Sequence, residues 1–319
     1  MQYLPSVILF AFSTVIAAQS KAQSTQTLAI GHSGDVAHIT PHVEAGKIEI
    51  RISGGDGRTS GKPVVITLRN QVASEIYADV FKLNGQFQFS YSIKNRQYAR
   101  QRIDDWDLVL PAKATTEKVT QPKRWNAATI IAKSSQVGHA LDGAETGAIL
   151  SWYRAFDDAA SIEPGETMSG FVLRSFYAPG LVYSYTFGAW PDDSALRDLP
   201  LEVTRALEPY LRRESNSNVQ ITIGPVFAPD TPVEHILATY HRRLSMLRAN
   251  AATAMRETFL HDLMGLLANA RAGLISTPSS RFGLEMLCKR NSFHSSTAME
   301  MERILLQAIS LSACPGYEM

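Results

Sequence analysis

The chain is short of several things that common functional readings require. It has two cysteines and eight histidines, and 31 basic against 30 acidic residues leave a net charge of +1. Such a balance removes the basic footprint with which nucleic-acid binders neutralise phosphates, so no nucleic-acid partner is expected. Two thiols without Cys-x-x-Cys spacing or clustered histidines do not complete a tetrahedral zinc site. Beyond the first two dozen residues, no stretch approaches the ~20 apolar residues of a transmembrane helix. No nucleotide, hydrolase or metal motif is complete, and neither a cofactor, a metal ligand nor a catalytic residue is assigned.

The N-terminus holds an uncharged apolar run from Leu4 to Ala18, followed by Gln19, Ser20, Lys21 and Ala22. A short apolar run ending in small polar residues is the pattern of a cleavable secretory signal, too short to span a bilayer comfortably. Cleavage after Ala22 places Ser20 and Ala22 at the positions that need small side chains; cleavage after Ala17 would use Val15 and Ala17. Met-Gln-Tyr before the run carries no charge beyond the amino terminus, and a buried apolar strand or helix is the competing reading. No cysteine follows the run to accept a lipid. Residues 1–22 are therefore expected to be removed, giving a secreted or periplasmic product with no stable membrane span. In that oxidising compartment the isolated pair Cys288 and Cys314 is a disulfide candidate.

Residues 23–45 are polar, punctuated by Gly31, Gly34 and Pro41, and are expected to be irregular. From residue 46 the period becomes two. Ile48, Ile50 and Ile52 alternate with Lys47, Glu49 and Arg51, and Phe87, Phe89, Tyr91 and Ile93 alternate with Gln86, Gln88, Ser90 and Ser92. That is the signature of half-buried strands. Asn84-Gly85 between two such runs is a two-residue hairpin signal. Further strands are expected at 64–68, 76–83, 106–110, 127–132, 148–156, 167–175, 182–190 and 219–223. Many short strands divided by Gly, Pro, Asn and Asp predict an antiparallel β-sandwich, Ig-like or jelly-roll-like, over residues 46–227. Trp106, Trp125, Trp152 and Trp190 fall in this part, expected as core, with a stacking groove as the alternative. After Pro225 the period changes to 3.6: Ile236, Tyr240, Leu244 and Leu247, then Met255, Phe259, Leu263, Leu266 and Leu267. Residues 228–319 are thus expected to form a helical tail.

The segment 161–180 carries Pro164-Gly165, Ser169-Gly170-Phe171 and Pro179-Gly180, and a strand from Gly147 to Trp152 precedes it. In these motifs, and in the Leu- and Ala-rich Phe259–Leu274, the chain resembles a group of uncharacterised exported bacterial proteins. Their Pro-Gly turns lie in a β-sandwich, and some of them end in a helical hairpin. The resemblance covers about a third of the chain. It implies export and fold, and no activity.

Several clusters invite chemistry and fall short of it. Asp56 to Lys62 is similar to a phosphate-binding loop, but Asp56 replaces the first glycine and Pro63 the magnesium-binding hydroxyl. His32, His38 and His42 lie near Asp35 and Glu44; imidazole suits zinc, copper or nickel, but Gly34 and Pro41 interrupt a regular strand. Asp104, Asp105 and Asp107 offer oxygens to calcium without the full loop pattern, and are expected to be solvated at the start of a strand. Asp157-Asp158 and Asp192-Asp193 read as turn residues. Ser33 sits in Gly-His-Ser-Gly-Asp, where Asp35 takes the last glycine position of a nucleophile elbow. His241 and His261 lie on amphipathic helices, and Arg154 and Arg174 are expected at the rim of the sandwich. The expectation is an exported, non-catalytic binding or structural module whose partner is an extracellular or periplasmic protein or glycan. The alternative is a secreted carbohydrate-active hydrolase with a site assembled on the sandwich loops.

Overall fold

The computed structural model describes residues 25–31, 34–54, 62–111, 114, 118–133, 146–154, 161–189, 194–213, 215–232, 234–241, 257–274, 283 and 286. Thirteen strands lie among them: β1 (Gln26–Ile30), β2 (Asp35–His42), β3 (Lys47–Ser53), β4 (Val64–Thr67), β5 (Ser74–Leu83), β6 (Gln86–Asn95), β7 (Ile103–Pro111), β8 (Lys118–Thr120), β9 (Trp125–Lys133), β10 (Thr146–Arg154), β11 (Thr167–Ser175), β12 (Ala178–Gly188) and β13 (Asn218–Phe227). Helices α1 (Ser194–Arg197) and α2 (Leu201–Leu211) separate β12 from β13, and α3 (Glu257–Arg271) follows a further helical stretch over 234–241.

Every pairing between the described strands is antiparallel, and these strands form three sheets, ordered β1-β2-β3-β4, β13-β12-β7-β10-β9 and β5-β6-β11-β8. The last two face each other as a sandwich. Its core takes Phe89, Tyr91, Ile93, Phe171 and Leu173 from one side and Trp106, Leu108, Leu150, Trp152 and Val182 from the other. The alternation in β6 dictates this: odd-numbered residues from Phe87 to Asn95 are buried, even-numbered ones half-exposed. Asn84 at φ 50 and Gly85 at φ 80 make the β5–β6 turn, both positive as a two-residue hairpin of this hand requires. Trp106 and Trp152 stack at 4.4 Å with an interplanar angle of 8°, while Tyr91 and Phe171 meet Trp106 edge-on at 5.0 and 5.3 Å. Trp106, Trp125 and Trp152 are core residues, as expected; Trp190 lies outside the described residues.

The segment 23–45, expected to be irregular, instead carries β1 and β2. Ala37, Ile39 and Pro41 are buried while His38, Thr40 and His42 are only half-buried, so a weak alternation was present and polar composition masked it. Pro41 is tolerated because the β1 ladder ends at Gln26–Ile39, and it breaks no pairing with β1. The β1–β4 sheet also has a core of its own. Ala37, Ile39, Ile48, Ile50, Ile66 and Leu68 pack against Val203 and Leu207 of α2, so helices inserted late in the chain cover a sheet made at its start. The interval 46–227 therefore holds parts of two cores.

Pro179-Gly180, read as a turn, lies inside β12, next to a register shift at Ala178/Pro179; the turn is at Phe176–Tyr177. Gly170, at φ 102, sits in a bulge of β11, and Gly165, at φ 92, in the turn before it. Strand pairing ends with β13 among the described residues, consistent with a helical region beyond. The described helical residues pack onto the sandwich: Ile236, Leu237, Tyr240, Leu263 and Leu267 belong to its core. The Tyr240 hydroxyl donates to the Pro179 carbonyl at 2.9 Å. Within the described residues, no helix is long and apolar enough to cross a membrane.

Candidate functional site

The densest set of buried charges lies on the face of the five-stranded sheet turned away from the sandwich core. β7 is its central strand, covered on both faces. Even-numbered Trp106, Leu108 and Leu110 enter the core, so odd-numbered Asp105, Asp107 and Val109 point the other way. Asp105 and Asp107 are 6% and 3% exposed, and Asp104 is 2% exposed. The expectation that these aspartates are solvated is thus corrected. The counter-charges of Asp105 and Asp107 come from far along the chain, where local pattern cannot reveal them.

Arg69, in the connection from β4 to β5, places Nη2 at 2.5 Å from Asp105 Oδ2 and donates from Nε to the Gly188 carbonyl at 2.8 Å. Its backbone amide donates to Asn216 Oδ1 at 2.7 Å, and its carbonyl accepts the Gly188 amide at 2.7 Å. Arg213, just past α2, lies with Nε 3.0 Å from Asp107 Oδ2. Both guanidinium groups approach the Phe187 ring, at 4.9 Å for Arg69 and 5.8 Å for Arg213. Burial pushes the Asp105 carboxyl above its ordinary value, and Arg69 opposes the rise without cancelling it. Asp105 Oδ1 has no hydrogen-bond partner among the described residues, in keeping with that balance. Asp107 is also raised by burial, against Arg213 and a hydrogen bond from Ser151. On the core side, Asp104 is flanked by Arg102 at 3.3 Å and Arg154 at 3.6 Å.

These contacts join the β1–β4 sheet with its helices to the sandwich. A second buried polar group closes the sandwich edge between β5 and β13. There Ser74 and Thr186 hydroxyls lie 2.6 Å apart, and Gln220 Nε2 donates to the Ser74 carbonyl at 2.6 Å. A third group, Glu75 with Arg96 at 2.6 Å and the Tyr77 hydroxyl at 3.1 Å, lies at the start of β5. Burial, with the Glu75 charge, pushes the Tyr77 hydroxyl up to about 12.

The outward face of the β5-β6-β11-β8 sheet is different in kind. Across it run the register rows Tyr77–Ser92–Ser169, Asp79–Ser90–Val172 and Phe81–Gln88–Arg174. These side chains are half-exposed or exposed. Arg174 Nε donates to Gln88 Oε1 at 2.8 Å, and Gln88 Nε2 to Ser90 Oγ at 3.4 Å. Phe81 is 42% exposed at the edge.

No protein-family model matches the chain, and no curated protein matches it either.

His38 and His42 lie on the solvent side of β2, with His38 Nδ1 3.3 Å from the Thr27 hydroxyl. Among the described residues, no three His, Cys, Asp or Glu side chains converge on a metal position. His261 is exposed on α3, His241 is half-buried at the end of the 234–241 helix, and Arg174 lies on the open sheet face. Residues 1–24, His32, Ser33, 55–61, Asp157-Asp158, Asp192-Asp193, Cys288 and Cys314 lie outside the described residues. The Arg69–Asp105 and Arg213–Asp107 pairs were missed. A signal existed for the aspartates, since Asp105 and Asp107 flank a tryptophan in a strand that continues as Leu108-Val109-Leu110.

Proposed function

We propose that this chain is an exported, non-catalytic binding module whose ligand is a glycan lying across the outward face of β5, β6 and β11. One observation supports the reading: the register rows of that face bring Ser90, Ser92, Gln88, Asp79 and Arg174 together beside the rings of Tyr77 and Phe81. Three strands and three rows span roughly 10 by 13 Å, a patch suited to a short oligosaccharide. Hydroxyl and amide groups donate and accept at once, as sugar hydroxyls do, and an aromatic ring offers an apolar platform to a sugar ring. A protein partner would favour a more apolar centre with less serine.

The hydrolase alternative draws on Asp105 and Asp107, roughly 6–7 Å apart along one strand face, a spacing compatible with paired carboxylates. Each is nearly buried and has its own arginine, so a substrate would have to displace an ion pair to reach it.

The test is retention of the exported protein on immobilised polysaccharides, after N-terminal sequencing has placed its first residue between 18 and 25. Gln88→Ala and Arg174→Ala, with unchanged circular dichroism, should each weaken retention about tenfold, the loss of one or two good hydrogen bonds. Release of reducing sugar ends would instead establish the hydrolase. Capture of a protein that the two substitutions release, with no glycan retained, would assign the face to a protein partner.

A further inference from the structure

We propose that β9 is an interaction edge that pairs antiparallel with β9 of a second copy of this chain. β9 ends the five-stranded sheet, and among the described residues only β10 pairs with it. Natural edges are blunted by short length, charge, proline, bulges or a covering element. β8 has three residues, β1 has five and β4 four. α1 packs beside β4, and β13 abuts β5 through Gln220 and Ser74. Among the described residues, β9 has none of these protections. It runs nine residues, its register with β10 is unbroken, and its one charge is the last residue, Lys133.

Both faces of the sheet run out at this edge on an exposed isoleucine. Leu110 and Ala148, buried on the core side, continue in register to Ile131, which is 66% exposed. Val109 and Ile149, buried on the other side, continue to Ile130, which is 53% exposed. A partner strand there would extend two buried rows at once.

The sequence of the edge favours a second copy as that strand. An antiparallel pair centred on Thr129 sets Thr129 opposite Thr129, Ile130 opposite Ala128 and Ile131 opposite Ala127. Lys133 then falls opposite Trp125, so no like charges meet. Threonine pairs are favourable cross-strand neighbours, and alanine leaves room for the isoleucine opposite it. The contact is isologous and closes as a two-fold dimer. One strand pair is smaller than the standard interface of about 1,600 Å², so the dimer should be concentration-dependent.

Sedimentation equilibrium of the full exported chain should show a reversible monomer–dimer system. In Ile130→Lys/Ile131→Lys, lysines brought together across the two-fold axis should weaken it at least about tenfold. Circular dichroism must remain unchanged. Hydrogen exchange on the unaltered protein needs no variant: protection of β9 amides should rise with protein concentration. A protein that stays monomeric at every concentration overturns the proposal. So does a dimer of equal strength in the double-lysine variant, or concentration-dependent protection confined to other strands. Occupation of β9 by a strand of an unrelated protein, with no self-association, overturns it as well.

Discussion

Replacing Arg69 with methionine isolates the cost of leaving Asp105 buried without its counter-charge. Methionine keeps much of the apolar stem, so the main loss is the guanidinium 2.5 Å from Asp105 Oδ2 and 4.9 Å from the Phe187 ring centre. Asp105 can escape by taking a proton. Starting from an unfolded value of about 3.9, neutralising it at pH 7 costs at most about 4 kcal/mol, and at pH 5 about 1.5 kcal/mol. The lost ring contact and the Gly188 carbonyl left short of a donor add about 1 kcal/mol. Urea unfolding, read by the fluorescence of the buried tryptophans, should therefore show up to about 5 kcal/mol of destabilisation at pH 7 and about half of that at pH 5. The sign follows from proton binding. With its carboxyl raised, the folded chain holds more protons than the unfolded chain between the two pKa values, so stability falls as pH rises through that window. The contribution is fully present below the unfolded value. Removing Arg69 moves the upper limit of the window higher and steepens the fall. Asp104, Asp107 and Arg154 also act on Asp105 and remain in the variant, which makes Arg69→Met/Asp105→Asn the control. Neutralising the orphaned carboxyl should return most of the loss. A loss below about 1 kcal/mol at pH 7, or one equal at both pH values, would refute a buried charge pair here.

Tyr240→Ala removes a wholly buried ring and its bond to the Pro179 carbonyl. It should cost about 3–5 kcal/mol and speed proteolysis beyond residue 228; unchanged global stability would mean that the helices fold apart from the sandwich. Gly180→Ala would place a methyl 2.6 Å from the Val226 Cβ, so a loss of about 1–3 kcal/mol is expected in the same unfolding assay, and none if β12 and β13 can separate freely. For Cys288 and Cys314, titration of the non-reduced exported protein should find no free thiol. A bridge closing about 26 residues would stabilise the chain by roughly 3–4 kcal/mol, and two reactive thiols would rule it out.

Strand positions from β3 to β13, the three-residue β8 excepted, were legible because a half-buried strand writes its two faces into alternate residues, as β6 does most clearly. The Asn84-Gly85 turn was legible because few residues accept two consecutive positive φ angles. The helical period after Pro225 was equally plain. β2 was not, since its outward residues are His38, Thr40 and His42 and a proline stands near its end. Nor was α2, whose buried Val203 and Leu207 are too few to make a periodic stripe in eleven residues. What no local pattern contained was the partner of each face. That α2 covers the β1–β4 sheet, and that Arg69 and Arg213 meet Asp105 and Asp107, joins residues more than thirty positions apart, and for α2 more than a hundred. Periodicity records only that a face is buried, because the hydrophobic effect has no direction. Which residues bury it, and whether an aspartate among them is solvated or paired, depends on how the sheets stack, and that was decided in the tertiary structure alone.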